Sequence, residues 1–453
     1  MIKLTIKYKN KKIINLNPTR LIVLSFILLI VLGAFFLNLP IASRNGNSVG
    51  LLEALFTSTS ASCVTGLILL DTQSQWTTFG QLVILFLIQV GGLGIITLTM
   101  FFSVILGRKI SLKGRVLVQE SLNSLSFDSA LNLLKRVLLI TIIVESIGAL
   151  LLSISFVPKF GLRGIYMGVF HSISAFCNAG FDIMGSKKSF VDYNGNPFVL
   201  YTMALLVIMG GLGFIVWDDI LEYRRRKQFL LHTKIVFSTS LVLLILGTIL
   251  FFFFEYSNPN TTAGLSLFEK INASFFHSTV SRTAGFNSLP LEEMTELSKI
   301  TTIILMFIGG ASGSTAGGIK VTTFSIILFA IISQIRGSRP VAFNSSISYN
   351  AINRAIAIIG LAVSWVIFIT ALVLVIERGQ IQFINILYEV TSAFGTVGLS
   401  VANTSRLHLL SQILIMITMF IGRVGPITFA IALTINNNMQ KDKIYPEGKV
   451  IVG

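Results

Sequence analysis

Charge is what this sequence has least of. Only 12% of its 453 residues are Asp, Glu, Lys or Arg, about half of the roughly 25% usual in soluble globular proteins, which excludes an ordinary water-soluble enzyme. Two cysteines, Cys63 and Cys177, are too few for a disulfide framework, and four histidines without close spacing do not form a zinc motif. No polar, Pro-rich or Ser-rich stretch separates one soluble core from another. The basic residues carry no aromatic interleaving and lie between apolar runs, which argues against nucleic acid as a partner.

What is present is apolar length: 53% of the chain is hydrophobic. A helix needs about 20 mostly apolar residues to cross a bilayer. Eight segments meet that length, at 21–39, 79–106, 137–157, 198–220, 235–254, 300–335, 355–376 and 409–433. The first has too long a charged leader for a cleaved signal and reads as a retained span. Four shorter stretches between them, 51–70, 165–184, 267–289 and 383–401, are too polar or too Gly-interrupted to cross and read as re-entrant. The net charge of +16 follows topology: placing both termini and every second connection on the cytoplasmic side puts 23 of the 35 Lys and Arg there, as the positive-inside rule requires.

The re-entrant stretches repeat one pattern. They run Thr57 to Leu67 (TSTSASCVTGL), His171 to Phe181 (HSISAFCNAGF), His277 to Phe286 (HSTVSRTAGF) and Glu389 to Leu399 (EVTSAFGTVGL), with glycines at 66, 180, 285 and 398. A second glycine motif follows 24 to 30 residues later: Gly91-Gly92-Leu93-Gly94, Gly210-Gly211-Leu212-Gly213, Gly309-Gly310 and Gly422-Arg423-Val424-Gly425. Small residues allow close helix packing in membranes, but two motifs in register four times mark a fourfold duplication. Each repeat reads as span, short pore helix, extended glycine segment and span. The repeats cover 21–107, 108–223, 224–336 and 337–435, flanked by a basic tail at 1–20 and a tail at 436–453. The fold class is all-α integral membrane, with four span–pore loop–span repeats in pseudo-fourfold arrangement around one pore. Non-helical chain at membrane depth must line an aqueous cavity or be buried in protein.

Potassium filters coordinate ions with rings of backbone carbonyls, and glycine tolerates the positive φ this geometry demands. Thr396-Val397-Gly398 matches the Thr-Val-Gly core of such filters, whereas Val64-Thr65-Gly66, Asn178-Ala179-Gly180 and Thr283-Ala284-Gly285 keep only the glycine. A simple filter with one well-formed carbonyl ring is expected. Together these motifs resemble the Trk/Ktr/HKT superfamily of potassium transporters over essentially the whole chain, and within it most closely the bacterial KtrB membrane subunits. The resemblance implies K⁺ as the transported ion, no covalent cofactor, and Na⁺ as a candidate activator. It implies a homodimer in the cell membrane, seated on a cytosolic nucleotide-binding ring of RCK-type subunits, with 108–117, 224–234 and the C-terminal tail as candidate contacts. Members with Ser at the first filter glycine favour sodium, so Gly66 points to potassium.

The segment Gly309-Gly310-Ala-Ser312-Gly313-Ser314-Thr315-Ala-Gly317-Gly318-Ile-Lys320 fails the Walker spacing, because Ile319 intervenes before the lysine and no strand precedes it. Each glycine lowers helix propensity by about 1 kcal/mol, so this run should unwind. In the resembling family the matching loop is the gate. Arg423 stands mid-span, where a charge costs at least about 2.5–3.5 kcal/mol and must face the interior. Its expected partners are carbonyls near 313–318, with Glu145 as the alternative. Asp71 and Asp182 either ring the outer mouth or are solvated loop carboxylates. His171, His277 and Glu389 share one pore-helix position and read as capping or helix-to-span bonds rather than a proton relay. Arg282 reads as a structural counterion. A sodium-selective carrier of the same fold and a polytopic enzyme or scaffold are the rivals. The second predicts clustered buried titratable groups, yet only Glu145, Lys320 and Arg423 lie deep, and an enzyme is not expected.

Overall fold

The structure, a computed structural model, describes residues 4–6, 14–16, 18–94, 127–185 and 189–433. One order of elements recurs four times. A long apolar helix comes first: α1 (Pro18–Leu37), α4 (Phe127–Phe160), α8 (Leu231–Glu255) and α12 (Tyr349–Ile376). A short helix follows in each case, α2 (Leu51–Cys63), α5 (Arg163–Phe176), α9 (Leu267–Val280) and α13 (Phe383–Gly395), each leading into extended chain. The remaining helices are α3 (Thr78–Leu93), α6 (Pro197–Gly211), α7 (Phe214–Arg226), α10 (Glu296–Phe307), α11 (Val321–Ile335), α14 (Leu409–Val424) and α15 (Pro426–Leu433). Among the described residues strands are confined to two short antiparallel pairs, Leu4–Ile6 with Ile14–Leu16 and Val341–Ala342 with Ser345–Ser346.

The four long helices contain apolar stretches able to cross a membrane, at Arg20–Leu37, Leu134–Phe160, Leu231–Glu255 and Tyr349–Ile376. They present Leu, Ile, Val and Phe outward, among them Leu28, Phe35, Ile142, Leu150, Phe253 and Ile367, as a span facing lipid must. The short helices are the reverse, with buried polar surfaces. In α2, residues 57 to 63 are all buried although five of the seven are Ser or Thr.

Three of the short helices are pinned to their long helix by the same bond. Ser58 Oγ donates to Ile30 O at 2.7 Å, Ser172 Oγ to Glu145 O at 2.7 Å, and Ser278 Oγ to Leu244 O at 2.9 Å. Three residues beyond each accepting carbonyl stands a glycine, Gly33, Gly148 or Gly247, where a Cβ would press on that same serine and on Leu87, Leu206 or Leu305. The fourth repeat has no such glycine contact.

The second halves of the first, second and fourth repeats depart from the continuous spans expected at 79–106, 198–220 and 409–433, whereas the third is interrupted where its glycine run was expected to unwind. At Gly213 (φ 90°) the chain turns by 88° between α6 and α7. Gly425 (φ 93°) separates α14 from α15, and α3 ends at Gly94 (φ 86°). The remainder of 79–106 lies outside the described residues. In the third repeat residues 308–320 separate α10 from α11. The physical reason is the spacing of the glycines. The first of each Gly-x-x-Gly set packs against the end of the short helix, and the last takes a positive φ at which an α-helix cannot continue.

That packing is close. A Cβ at Gly91, Gly210 or Gly422 would lie 2.8, 2.9 or 2.8 Å from the carbonyl carbon of Ser62, Phe176 or Phe394. Each of those residues stands four before Gly66, Gly180 or Gly398. Overpacking of this kind costs roughly 1–3 kcal/mol. Gly210→Ala is therefore expected to lower the thermal unfolding temperature of the detergent-solubilised protein. Gly360→Ala, inside α12 with nothing within 4 Å, is expected to leave it unchanged or raised.

Candidate functional site

Each short helix stops in the same way. The residue two before the glycine takes a left-handed conformation, Val64 (φ 59°), Asn178 (φ 58°), Thr283 (φ 81°) and Thr396 (φ 50°), and so does the glycine itself, Gly66 (φ 94°), Gly180 (φ 70°), Gly285 (φ 73°) and Gly398 (φ 93°). The residues between them, Thr65, Ala179, Ala284 and Val397, do not. Their amides turn back into the helix: Thr65 N donates to Ser60 O, Ala179 N to Ser174 O and Val397 N to Ser392 O, each at 2.8 Å, and Ala284 N donates to Val280 O at 3.0 Å. Gly66 N and Gly398 N donate to the hydroxyls of Ser60 and Ser392 at 3.0 and 3.1 Å.

With the N–H groups engaged behind the chain, the carbonyls are left to face forward. A Cβ at Gly66 would lie 2.6 Å from Ala179 O, and one at Gly180 would lie 3.0 Å from Ala284 O; at Gly285 and Gly398 the pressing atoms are Val397 O and Thr65 O. The four glycines close a ring. From each built Cβ the next glycine's Cα is 3.0 Å (Gly66 to Gly180), 2.9 Å (Gly180 to Gly285), 3.3 Å (Gly285 to Gly398) and 2.9 Å (Gly398 to Gly66). Any side chain here would meet backbone. The C-terminal ends of the four short helices converge on this ring, and helix C-termini carry partial negative charge that favours cations.

On one side of the ring lies a cavity of about 160 Å³ lined by all four glycines and by Asp71, Asp182 and Glu292. Asp71 and Asp182 thus line this cavity beside the ring; Glu292, on the one-turn helix Leu291–Glu293, was not singled out from the sequence. Asp71 also caps Thr72–Gln75, accepting from Ser74 N at 2.7 Å.

On the other side runs the glycine-rich segment 308–320. Gly309 N donates to Ile319 O at 2.8 Å and Val321 N to Gly310 O at 3.0 Å, closing the loop at its neck. Its body reaches the other repeats. Ala311 N donates to Gly211 O at 2.9 Å, Phe214 N donates to Gly313 O at 2.8 Å, and Thr315 Oγ1 donates to Phe176 O at 3.1 Å. A Cβ at Gly317 would lie 2.8 Å from Thr396 Cγ2 and one at Gly318 3.2 Å from Gly395 Cα. Ser312 O lies against Gly213, Ser314 Oγ donates to Ala311 O at 2.7 Å, and Lys320 Nζ donates to Ala316 O at 2.5 Å.

Arg423 ties this loop across the structure. Its guanidinium donates to Thr315 O, to Gly91 O, and at 3.0 Å to Gly92 O. Thr315 falls within the stretch expected from sequence. Gly91 and Gly92 were not foreseen, although they lie in the last turn of α3, where carbonyls have no intrahelical partner. Glu145 is not the partner: its carboxylate accepts from Gln89 Nε2 at 3.3 Å. Among the described residues Arg423 forms no ion pair.

The remaining polar positions divide. Arg282 donates from Nη1 and Nη2 to Ser240 O and Oγ, both at 3.2 Å, so it ties the end of α9 to α8, the long helix of the same repeat, through a serine rather than a carboxylate. His277 Nε2 meets Thr302 Oγ1 of α10 at 3.1 Å, the helix-to-span bond expected. His171 and Glu389 instead reach forward onto chain beyond their glycines, Ile183 N and the hydroxyls of Ser400 and Thr404. Among the described residues no three His, Cys, Asp or Glu assemble as a metal site. The donors gathered at the ring are backbone oxygens, which suit hard cations.

A model of the TrkH family, described as cation transport protein, matches residues 7–444. The Ktr system potassium uptake protein B of Bacillus subtilis (strain 168) is 42% identical, with 99% of each chain covered. The potassium/sodium uptake protein NtpJ of Enterococcus hirae is 38% identical, covering 97% of this chain and 98% of that one. The crystal structure of the potassium transporter TrkH from Vibrio parahaemolyticus shares the fold, with a TM-score of 0.69 at 17% identity over 92% of this chain and 85% of that one.

Hydrogen bonds to a charged group contribute about 1.5–3 kcal/mol, and about 1.4 kcal/mol is tenfold in an equilibrium. Arg423→Gln is therefore expected to raise amide hydrogen exchange across 311–318 by about tenfold or more while the short helices stay protected. Unchanged exchange would mean the loop is held without the guanidinium.

Proposed function

The chain belongs to the TrkH family of cation transport proteins, multi-pass membrane transporters and not enzymes, and from that premise we propose that it takes up potassium across the cell membrane. The observation that carries this reading is the closed ring of Gly66, Gly180, Gly285 and Gly398, with carbonyls of the preceding residues facing it. A ring of carbonyls replaces the hydration shell of an entering ion. In the proposed filter, residues 64–66, 178–180, 283–285 and 396–398 supply those oxygens, and Asp71, Asp182 and Glu292 concentrate cations at the outer mouth. A potential of 100 mV contributes about 2.3 kcal/mol per elementary charge, so inward K⁺ movement needs no ATP hydrolysis by this chain.

Gly309 to Lys320 forms the gate in this reading. Support comes from its hydrogen bonds to α6, to the end of α5 and to Arg423 directly behind the filter segments. A cation leaving the filter meets the Arg423 guanidinium and the loop together, an electrostatic and a steric barrier. Opening requires the loop to leave the Gly211, Gly313 and Thr315 contacts. The four repeats, 21–107, 108–223, 224–336 and 337–435, act as pseudo-equivalent quarters of one pore, with both termini cytoplasmic.

Regulation is assigned to a cytosolic nucleotide-binding RCK-type ring beneath a homodimer. The name of the Bacillus subtilis relative as a Ktr system protein favours a multi-component assembly. Of the candidate contact regions, 224–234 is a basic helix end, held by Arg226 ion pairs to Asp219 and Glu222. Residues 108–117 and 436–453 lie outside the described residues. A second reading is favoured by the relative whose name includes sodium: Na⁺ would be carried as well or would activate transport. Gly66 at the first filter position weighs toward potassium.

The test is rescue of a potassium-uptake-deficient cell at low external K⁺. The chain is expected to restore growth, and Gly→Ser at each of the four ring positions is expected to reduce K⁺ uptake by about tenfold or more, with Gly66→Ser shifting preference toward Na⁺. Failure of rescue with protein and regulatory partner present, or indifference to all four changes, overturns the potassium reading.

A further inference from the structure

One position of the short helices, eight or nine residues before the ring glycine, holds Thr57, His171, His277 and Glu389 in the four repeats. All four side chains are buried, and they do different things. Glu389 accepts from Ser400 Oγ at 3.1 and 2.9 Å through its two oxygens, and from Thr404 Oγ1. Ser400 and Thr404 both line the outer cavity, and Ser400 is two residues past Gly398. His171 donates from Nδ1 to Met167 O at 2.7 Å, because a carbonyl can only accept; Nε2 is thereby left as the acceptor for Ile183 N at 3.2 Å, three residues past Gly180. Phe156, Phe170 and Phe190 stand edge-on around the ring of His171 and fix its plane.

The other two positions make no such bond. His277 turns sideways to Thr302, and the exit segment beyond Gly285 is tied instead to the second repeat's loop, where Phe190 N donates to Asn287 O at 2.9 Å. Thr57 Oγ1 is buried without a hydrogen-bond partner. Since the ring runs Gly66, Gly180, Gly285, Gly398 and back, the second and fourth repeats face each other. Each short helix on that diagonal grips its own exit segment from behind, and neither on the other diagonal does.

We propose that Glu389 and His171 are positioning residues for ion selection, holding the exit segments of the second and fourth repeats so that the ring oxygens keep a fixed spacing. This rests on the potassium-pore reading. Neither residue touches the ion path. They act through Ser400 and the Ile183 amide, two and three residues past the ring glycines, and through Thr404, six residues past. A carboxylate suits the fourth repeat because two hydroxyls converge on it and it only accepts. A neutral imidazole suits the second because one donor and one acceptor are needed in opposite directions. Without the braces the filter segments can draw inward around a smaller ion, so discrimination falls while conduction persists.

The test compares full-length wild type with Glu389→Ala, Glu389→Gln, His171→Ala and Thr57→Ala in potassium-uptake-deficient cells, measuring initial K⁺ uptake and Na⁺ uptake at matched protein levels. Glu389→Ala and His171→Ala are expected to lower the K⁺ to Na⁺ preference by about tenfold, with Glu389→Gln intermediate because one acceptor oxygen remains. Thr57→Ala, in the same helical position, is expected to stay within about twofold of wild type. Ser400→Ala combined with Thr404→Val removes the donors while leaving the short helix intact, and is expected to reproduce the loss if Glu389→Ala does not accumulate. A wild-type preference in the accumulated Glu389 and His171 variants, or in the Ser400 and Thr404 variant, overturns the positioning role alone. A wild type with no K⁺ preference overturns the potassium reading on which it rests.

Discussion

The structure depends on one constraint: backbone polar groups cannot be left unpaired at membrane depth. Four stretches of this chain leave the helix in the middle of the molecule, and each resolves the problem asymmetrically. The amides of Thr65, Ala179, Ala284 and Val397 fold back onto the helix just ended, so these four donors are used inside their own repeats. The acceptors are what remains. Four sets of carbonyls therefore face a common space, where a desolvated cation is the natural partner. The buried Ser and Thr hydroxyls of the short helices serve the same economy, since Ser60 and Ser392 supply the acceptors for the glycine amides that the backbone alone cannot satisfy.

Glycine enters this arrangement twice, for different reasons. At 66, 180, 285 and 398 it gives both a positive φ and the absence of a Cβ that would meet neighbouring backbone. At 91, 210 and 422 its conformation is ordinary and only its size matters, because the second helix must approach the carbonyl end of the short helix. Three residues further on, at 94, 213 and 425, conformation matters again and ends the helix. The helix ends so created expose carbonyls, and other parts of the chain take them up: Ala311 N meets Gly211 O, and Arg423 meets Gly91 and Gly92 O. Breaking the second helices is thus what supplies the docking points for the loop beneath the ring.

Much of this was legible because the repeat is written in residues with few substitutes. Glycine at matched spacing marked the ring positions and the unwound loop, and the isolated charge of Arg423 required an interior partner. The continuity of the second helices was misread, since apolar content over 198–220 or 409–433 says nothing about a single residue at φ near +90°. Glu292 was missed because the chain between the ring glycine and the one-turn helix that follows is longer in the second repeat than in the other three, so no spacing common to all four marks it. The pinning glycines Gly33, Gly148 and Gly247 were visible in principle as one small residue in each of three long apolar helices, but their meaning depends on Ser58, Ser172 and Ser278, far away in sequence. His171 and Glu389 were grouped correctly by position, while the direction each side chain takes is set by the chain that follows the glycine.

The largest departures from fourfold symmetry lie below the ring. There one repeat replaces a single turning glycine with the whole segment 308–320, and another replaces the second glycine of its cluster with Arg423. These two exceptions meet, at Thr315 O. A perfectly repeated floor would leave four equivalent helix ends and an unobstructed centre. Filling that centre requires chain that belongs to one repeat only, and holding it there without a buried carboxylate requires a cation that can be satisfied by carbonyls from another. Arginine does this with several donors in a planar fork, reaching the loop of the third repeat and the helix end of the first from its place in the fourth. On the proposed reading the filter can be selective because it is repeated, and the gate can be a gate because it is not.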